Sequence, residues 1–333
     1  MTDKQREVLP ETYRAWTWHD GTDPRDLILE HIPLPPPAAD QVLVRNVVIG
    51  LNPVDWKVLG VERLGWQPGK VPGVDGAGVV VAVGEDVSDR WLGQRVAYHQ
   101  NLQSPGSFAE YAPVDMRALL RLPQSLDFAI AASVPCPALT AWLALDKLPP
   151  QAGQRVLISG AGGAVGHYLV QLAAAYGFNV TAMSHSRHWE RLRTLGAKDC
   201  VASDLADDPD WISENAGFFA VIDSVSADHA ERLSPMLQTN GHLVCIQDRV
   251  ANWPCAPFGR AISLHEVALG ALHQFGDEAA WARLTAAGEL LLIDLAEERL
   301  QAESRVVRDF SELPLLLDEL RHRSFSGKPL VRV

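Results

Sequence analysis

The chain has 333 residues, 47% hydrophobic and 21% charged, a globular composition with room for two domains. Lys and Arg number 29 against 41 Asp and Glu, a net charge of −12, which speaks against a broad nucleic-acid surface because polyanions need clustered cations. No apolar run is long enough to span a bilayer, and the opening MTDKQREVLPETYRAW lacks a signal peptide's apolar core, so a cytoplasmic location with no membrane partner is expected.

Residues 1–130 read as strand-rich. Gln41–Gly50, Val79–Val83 and Gln94–Tyr98 are candidate strands, punctuated by proline and glycine. From Ser133 to about Gly270, short apolar strands alternate with amphipathic helices. Arg155–Ser159 is a buried strand, and Ala164–Tyr176 is a helix closed by Gly177. Phe178–Met183 is a second strand, and Arg187–Leu195 a helix with Ser186 as its N-cap. Phe219–Asp223 and His242–Ile246 flank a helix from about Asp228 to Gln238. In the tail, Glu278–Ala287 and Glu312–Arg321 read as helices, Arg305–Val307 and Leu330–Val333 as strands.

The fold class expected is therefore α/β. A doubly wound parallel-sheet domain over 133–271 is inserted into a β-rich domain over 1–132 and 272–333. The four cysteines, Cys136, Cys200, Cys245 and Cys255, include no pair separated by two residues and read as buried thiols.

The sharpest signal is VLISGAGGAVGHYLVQLAAAYG. Gly160, Gly162, Gly163 and Gly166 stand between an apolar strand and a helix. A turn without Cβ atoms lets the backbone approach a pyrophosphate, and the free amides of Ala164, Val165 and Gly166 begin a helix with a positive dipole end. A site for NAD usually has an acid at the end of the second strand to hold the ribose hydroxyls. Here the chain reads Ser184-His185-Ser186-Arg187-His188, with no acid. Ser184, Ser186 and Arg187 suit a 2′-phosphate, which predicts NADPH as cofactor. Ser224, Val225 and Ile246 lie at carboxyl ends of later strands, where ligands sit in such sheets.

IGLNPVDWK (Ile49–Lys57), VPGVDGAGVVVAVG (Val71–Gly84), GQRVAYH (Gly93–His99), GSFAEY (Gly106–Tyr111), AVIDSV (Ala220–Val225) and SGKPLVRV (Ser326–Val333) accompany that turn. Together they resemble the medium-chain dehydrogenase/reductases, in their quinone oxidoreductase-like branch. The resemblance implies a GroES-like catalytic domain joined to a Rossmann domain, with the active site in the cleft between them. It also implies that Thr140 approaches the nicotinamide. Zinc-dependent members carry a cysteine at the position of Asn52, a histidine at Val74 and a third ligand at Cys136. Asparagine and valine cannot replace thiolate and imidazole, so no metal is expected.

Without a Lewis acid, hydride delivery to a quinone or to the activated C=C of an enone or enal is the expected reaction. Asn52 is a candidate to bind the nicotinamide ribose or the acceptor oxygen. Lys57 is a candidate to polarise a carbonyl with Asp55 orienting it, the bland reading being an ordinary surface pair. Tyr98 and His99 are candidate wall residues or simple packing. Lys328 reads either as a cofactor-phosphate ligand or as a solvated lysine. A metal-free alcohol or aldehyde reductase is the alternative enzyme. A non-catalytic NADPH-binding structural or RNA-binding relative is the alternative of a different kind. A homodimer is expected, with the Ser263–Leu272 run as a candidate edge strand pairing across it.

Overall fold

The computed structural model describes residues 8–333, so the first seven residues of the stretch read for a leader lie outside the described residues. The chain divides into two compact units. One runs to Cys136 and resumes at Gly270, and the other is Pro137–Leu269.

The first unit begins with an antiparallel pair, β1 (Thr12–Thr17) and β2 (Ile28–Pro33), absent from the sequence reading. Tyr13, Ala15 and Thr17 alternate inward along β1, the period of two that a half-buried strand requires. There follow β3 (Gln41–Gly50), helix α1 (Pro53–Lys57), β4 (Asp75–Val83), β5 (Arg95–His99), β6 (Tyr111–Asp115), β7 (Leu119–Arg121) and helix α2 (Phe128–Ala132), and then α3 (Pro135–Asp146), whose first two residues close this stretch and whose other ten open the second unit. The second unit holds β8 (Arg155–Ser159), α4 (Ala164–Ala175), β9 (Asn179–Met183), α5 (Trp189–Thr194), β10 (Asp199–Val201), α6 (Pro209–Glu214), β11 (Phe218–Asp223), α7 (Ala227–Leu233), β12 (Leu237–Cys245) and β13 (Ser263–Glu266). The first unit then resumes with α8 (Leu272–Phe275), α9 (Glu278–Ala296), β14 (Arg305–Asp309), α10 (Leu313–His322) and β15 (Lys328–Arg332).

In the second unit the strand order is β10-β9-β8-β11-β12-β13, with every neighbouring pair parallel. The order reverses between β8 and β11, so their carboxyl ends form the crevice where open parallel sheets bind ligands. In the first unit the sheet runs β14-β15-β3-β4-β5-β7, with β6 on the first half of β3. β15 takes the other end of β3, pairing Leu330 to Gly50 and Arg332 to Val48. Its core gathers Tyr13, Leu43, Ile49, Phe108, Phe310 and Leu316.

Several boundaries differ from expectation for local reasons. The helix placed at Asp228–Gln238 ends at Leu233 because Pro235 turns Ser234–Met236 into a 3-10 turn. The helix placed at Arg187–Leu195 begins as a 3-10 turn at Ser186–His188, and its cap is His185, whose Nδ1 accepts the Arg187 amide at 3.2 Å, not Ser186. α9 continues nine residues past Ala287 because Gly288 is buried within it and Leu291, Leu292 and Leu295 extend its apolar face. Only four residues of the Ser263–Leu272 run are strand, and they form the sheet's edge.

Tyr98 is a core residue rather than a catalytic one. It is fully buried, its hydroxyl donates to Asn46 Oδ1 at 2.8 Å, and its ring fills the space where Gly76 lacks a Cβ. Asn46 Nδ2 in turn donates to the carbonyls of Ser107 and Ala109, at 3.2 and 2.8 Å. His99 is buried too, its ring stacked on His273 with centroids 5.5 Å apart.

Replacing Tyr98 with Phe leaves Asn46 Oδ1 buried without a donor. We expect a loss of ~2 kcal/mol in urea-denaturation stability. A loss near zero would show that the hydroxyl is not part of the core.

Candidate functional site

Four glycines set the end of β8. Gly160 has φ +66°, a left-handed conformation, and a Cβ there would stand 2.3 Å from Ser224 Oγ. At Gly166 a Cβ would come within 2.4 Å of the Ala161 carbonyl oxygen, so the start of α4 packs directly on the turn. Gly163 faces open space, its nearest would-be contact being Gly160 O at 3.6 Å. No side chain caps α4, which leaves the first-turn amides of Ala164, Val165 and Gly166 for another acceptor. A cradle open at Gly163, under an uncapped helix of twelve residues, fits a dinucleotide pyrophosphate.

Two residues hold this turn: Arg191, absent from the sequence reading, and His188, quoted there without a role of its own. Arg191 Nη2 donates to the Gly162 carbonyl at 2.7 Å, and its Nη1 donates to His167 Nδ1 at 2.9 Å. The His188 ring fills the space beside Gly162, where a Cβ would be 2.5 Å from Cδ2. The signal lay in spacing, since Arg191 is one helical turn after Arg187.

At the end of β9, Ser184 is buried and donates to His185 O at 3.3 Å, while Ser186 and Arg187 are exposed. Arg187 Nε donates to His188 Nε2 at 3.1 Å. Burial, then the nearby Arg191, Arg187 and His185, hold His188 below the usual imidazole range. Residues 184–189 contain no acid.

The ends of β8 and β11 are joined by Asp223, a residue the sequence reading quoted without a role. Ser159 Oγ donates to its Oδ2, His229 Nδ1 bonds the same oxygen, and its Oδ1 accepts the amides of Val225 and Ser226 at 2.9 and 3.1 Å. Burial pushes Asp223 up, but the bonds from His229, Ser159 and the Val225 amide outweigh it and hold the carboxyl below its ordinary value. Ser224 Oγ donates to Ser159 O at 2.8 Å, Val225 is exposed, and the Ile246 amide donates to Asp223 O at 2.9 Å. Thr140 is nearly buried in α3, with 8% of its surface exposed.

The remaining candidates belong to the first unit, and three need correction. Lys328 is neither solvated nor available to a phosphate. It is 2% exposed, and its Nζ donates to Asn52 Oδ1 at 2.5 Å and stands 3.5 Å from Asp75 Oδ2. Asn52 has both ends of its amide committed, because its Nδ2 donates to Asp75 Oδ2 at 2.8 Å. Asp75 also accepts the Cys136 amide on both oxygens, at 3.0 and 3.1 Å. Asp55 does not orient Lys57. The two side chains leave opposite sides of α1, Asp55 wholly buried and accepting the Asn52 amide at 2.7 Å, Lys57 exposed with its Nζ 5.6 Å from the Trp56 ring. Burial, with Arg323 adding to it, lowers the Lys57 ammonium from its ordinary value.

The cluster is electrostatically tight. Burial, reinforced by Asp75, raises Asp55 to about 8, against the lowering pull of the Asn52 amide and Lys328. Burial raises Asp75 as well, and Lys328 and Asn52 only partly offset it. Burial and the Asp75 carboxylate push the Cys136 thiol well up. Among the described residues no three His, Cys, Asp or Glu side chains converge as a metal site.

Residues 38–124 match the alcohol dehydrogenase GroES-like domain and residues 164–270 match the zinc-binding dehydrogenase family. The chain is similar to a 2-methylene-furan-3-one reductase of Solanum lycopersicum, 34% identical over 73% of this chain and 64% of the relative. It is similar to a chloroplastic NADPH-dependent alkenal/one oxidoreductase of Arabidopsis thaliana, 36% identical over 61% of this chain and 56% of the relative. The chain thus spans less than two thirds of these curated relatives. A solved alcohol dehydrogenase superfamily protein from Novosphingobium aromaticivorans superposes with a TM-score of 0.83 at 26% identity, over 97% of this chain and 100% of that one.

Asp55 generates a pH test. Unfolded, its carboxyl titrates near ~3.9, and folded it holds its proton to about 8. Between those values the folded protein carries a proton that the unfolded chain has released, so stability falls as pH rises through this window. In Asp55→Asn the amide oxygen still accepts the Asn52 N–H but cannot ionise. We expect the variant to gain ~2 kcal/mol over the parent between pH 5 and pH 8 in urea denaturation. An unchanged pH slope would rule out a retained proton on Asp55.

Proposed function

This chain belongs to the medium-chain dehydrogenase/reductase superfamily, in its quinone oxidoreductase-like branch, and on that premise we propose that it uses NADPH to reduce a quinone or the activated C=C of an enone or enal. The observation that carries the reading is the glycine turn under the uncapped α4, beside a β9 end that has an arginine and no acid. Bound NADPH supplies a hydride.

The residues of the second unit have separable tasks. The amides of Ala164, Val165 and Gly166, with Gly160, Gly162 and Gly163, take the pyrophosphate. Ser184, Ser186 and Arg187 take the adenosine side and its 2′-phosphate. Thr140, Ser224, Val225 and Ile246 bind and orient the nicotinamide side. From the first unit, the exposed Lys57 ammonium is assigned to polarise an acceptor carbonyl.

The two curated relatives are named for a methylene-furanone and for alkenals and alkenones, which favours a conjugated carbonyl acceptor. We propose that catalysis needs no metal. Support comes from the donor set: Asn52 and Val74 offer no thiolate or imidazole, and the Lys328 side chain lies against Asp75. The proposal includes a homodimer in the cytoplasm. The edge position of β13 supports self-pairing. Among the described residues no helix is long and apolar enough to cross a membrane.

Purified protein mixed with NADPH and a panel of 1,4-quinones, 2-enals and saturated aldehydes should oxidise the cofactor with the first two. Turnover of saturated aldehydes alone would replace this reading with an alcohol or aldehyde reductase. Arg187→Ala should weaken NADPH roughly tenfold or more and leave NADH nearly unchanged. Equal losses for both cofactors would remove Arg187 from the 2′-phosphate site.

A further inference from the structure

We infer that His188 is a specificity residue for the 2′-phosphate, and that it takes up a proton when the phosphorylated cofactor binds. The inference rests on the NADPH reading above and deepens it. Three contacts carry it. His188 Nε2 accepts from Arg187 Nε at 3.1 Å, so the ring is neutral in the free protein and its proton resides on Nδ1. The ring lies against Gly162, the residue whose carbonyl Arg191 clamps at 2.7 Å. The same imidazole therefore touches both the phosphate-binding turn and the arginine assigned to the 2′-phosphate.

The charged and titratable groups around it are Arg187 and His185 on its own turn and Arg191 on α5. Beyond Arg191 stands His167 on α4. The acid nearest in sequence, Glu190, is exposed. An imidazole among cations and partly removed from water stays neutral near pH 7. A dianion arriving in the same place reverses that balance. The Arg187 guanidinium turns from Nε2 to the phosphate, Nε2 gains a proton from solvent, and the new Nε2–H becomes a second donor to the phosphate oxygens. No such gain is open to NADH, which brings no charge to this end of β9.

Calorimetric titration at pH 7.5, in two buffers of different ionisation enthalpy, reads the proton directly and needs no turnover. At that pH the 2′-phosphate, with a second pKa of about 6, is already a dianion and releases little. NADPH should bind with uptake of roughly half a proton, and NADH with none. His188→Gln should abolish the uptake and lose several-fold in NADPH affinity. His185→Gln should keep the uptake. NADPH preference without proton uptake, or uptake that survives His188→Gln, would overturn the inference and leave the cofactor reading standing. NADPH binding no tighter than NADH would overturn both. NADH titration of each variant verifies that the site is intact.

Discussion

Gly160 turns the chain in a conformation that disfavours any side chain, and the strand ends of the second unit pack into the space it leaves. Its left-handed φ turns the chain out of β8, and the space a Cβ would take belongs to Ser224 Oγ. Ser224 is thereby close enough to donate to Ser159 O, which draws the end of β11 onto the end of β8. Asp223 completes the junction by binding Ser159 Oγ, His229 and the two amides that begin the next turn. A β-carbon at residue 160 would therefore displace the Ser224 hydroxyl that ties the two strand ends together. The same packing points the unpaired amides of α4 outward, which is what makes the turn an anion site.

In the first unit the equivalent constraint is electrical. Asp55, Asp75 and Lys328 are all buried, and isolated buried charges are expensive. Lys328 and Asp75 form a pair bridged by Asn52, while Asp55 avoids the cost by keeping its proton. Lys328 reaches across 276 residues of sequence to Asn52, so β15 is held to the start of α1 by this bond as well as by its ladder on β3. A divalent cation placed here would meet the Lys328 side chain against Asp75, and an asparagine and a valine where thiolate and imidazole would be needed.

These two regions were not equally legible in the sequence. Gly160, Gly162, Gly163 and Gly166 could be read because a local backbone demand fixes them, and a strand and a helix on either side give them context. The acid-free end of β9 was readable for the same reason. Lys328 was not, because Ser-Gly-Lys near a chain end looks solvated until β15 is known to pair with β3. Tyr98 and Asn52 were misread as chemistry because polar tips in a glycine-rich run look functional, and only the tertiary partners Asn46, Asp75 and Lys328 show that their hydrogen bonds are already used. His185 took the cap expected of Ser186 through its own ring nitrogen, a role that cap preferences rank low. Arg191 and Asp223 escaped because their partners, the Gly162 carbonyl and His167 for one and Ser159, His229 and two amides for the other, come together only in the folded chain.

Counted over the whole chain, the net charge of −12 opposes the several negative charges of the proposed cofactor. Screening resolves the conflict. At physiological ionic strength a charge is felt over about 8 Å, so most of the 41 acids do not act on any one site. Within His185–Arg193 the chain places Arg187, Arg191 and Arg193 with His185 and His188 against the single acid Glu190. The proposed phosphorylated dinucleotide would meet this local field beside the glycine turn, where the first-turn amides of α4 have no side-chain cap. On the proposed NADPH reading, the cations at the end of β9 would select one phosphate despite the acidic remainder of the chain. Discrimination at such a site depends on the placement of a few cations and not on the charge of the whole.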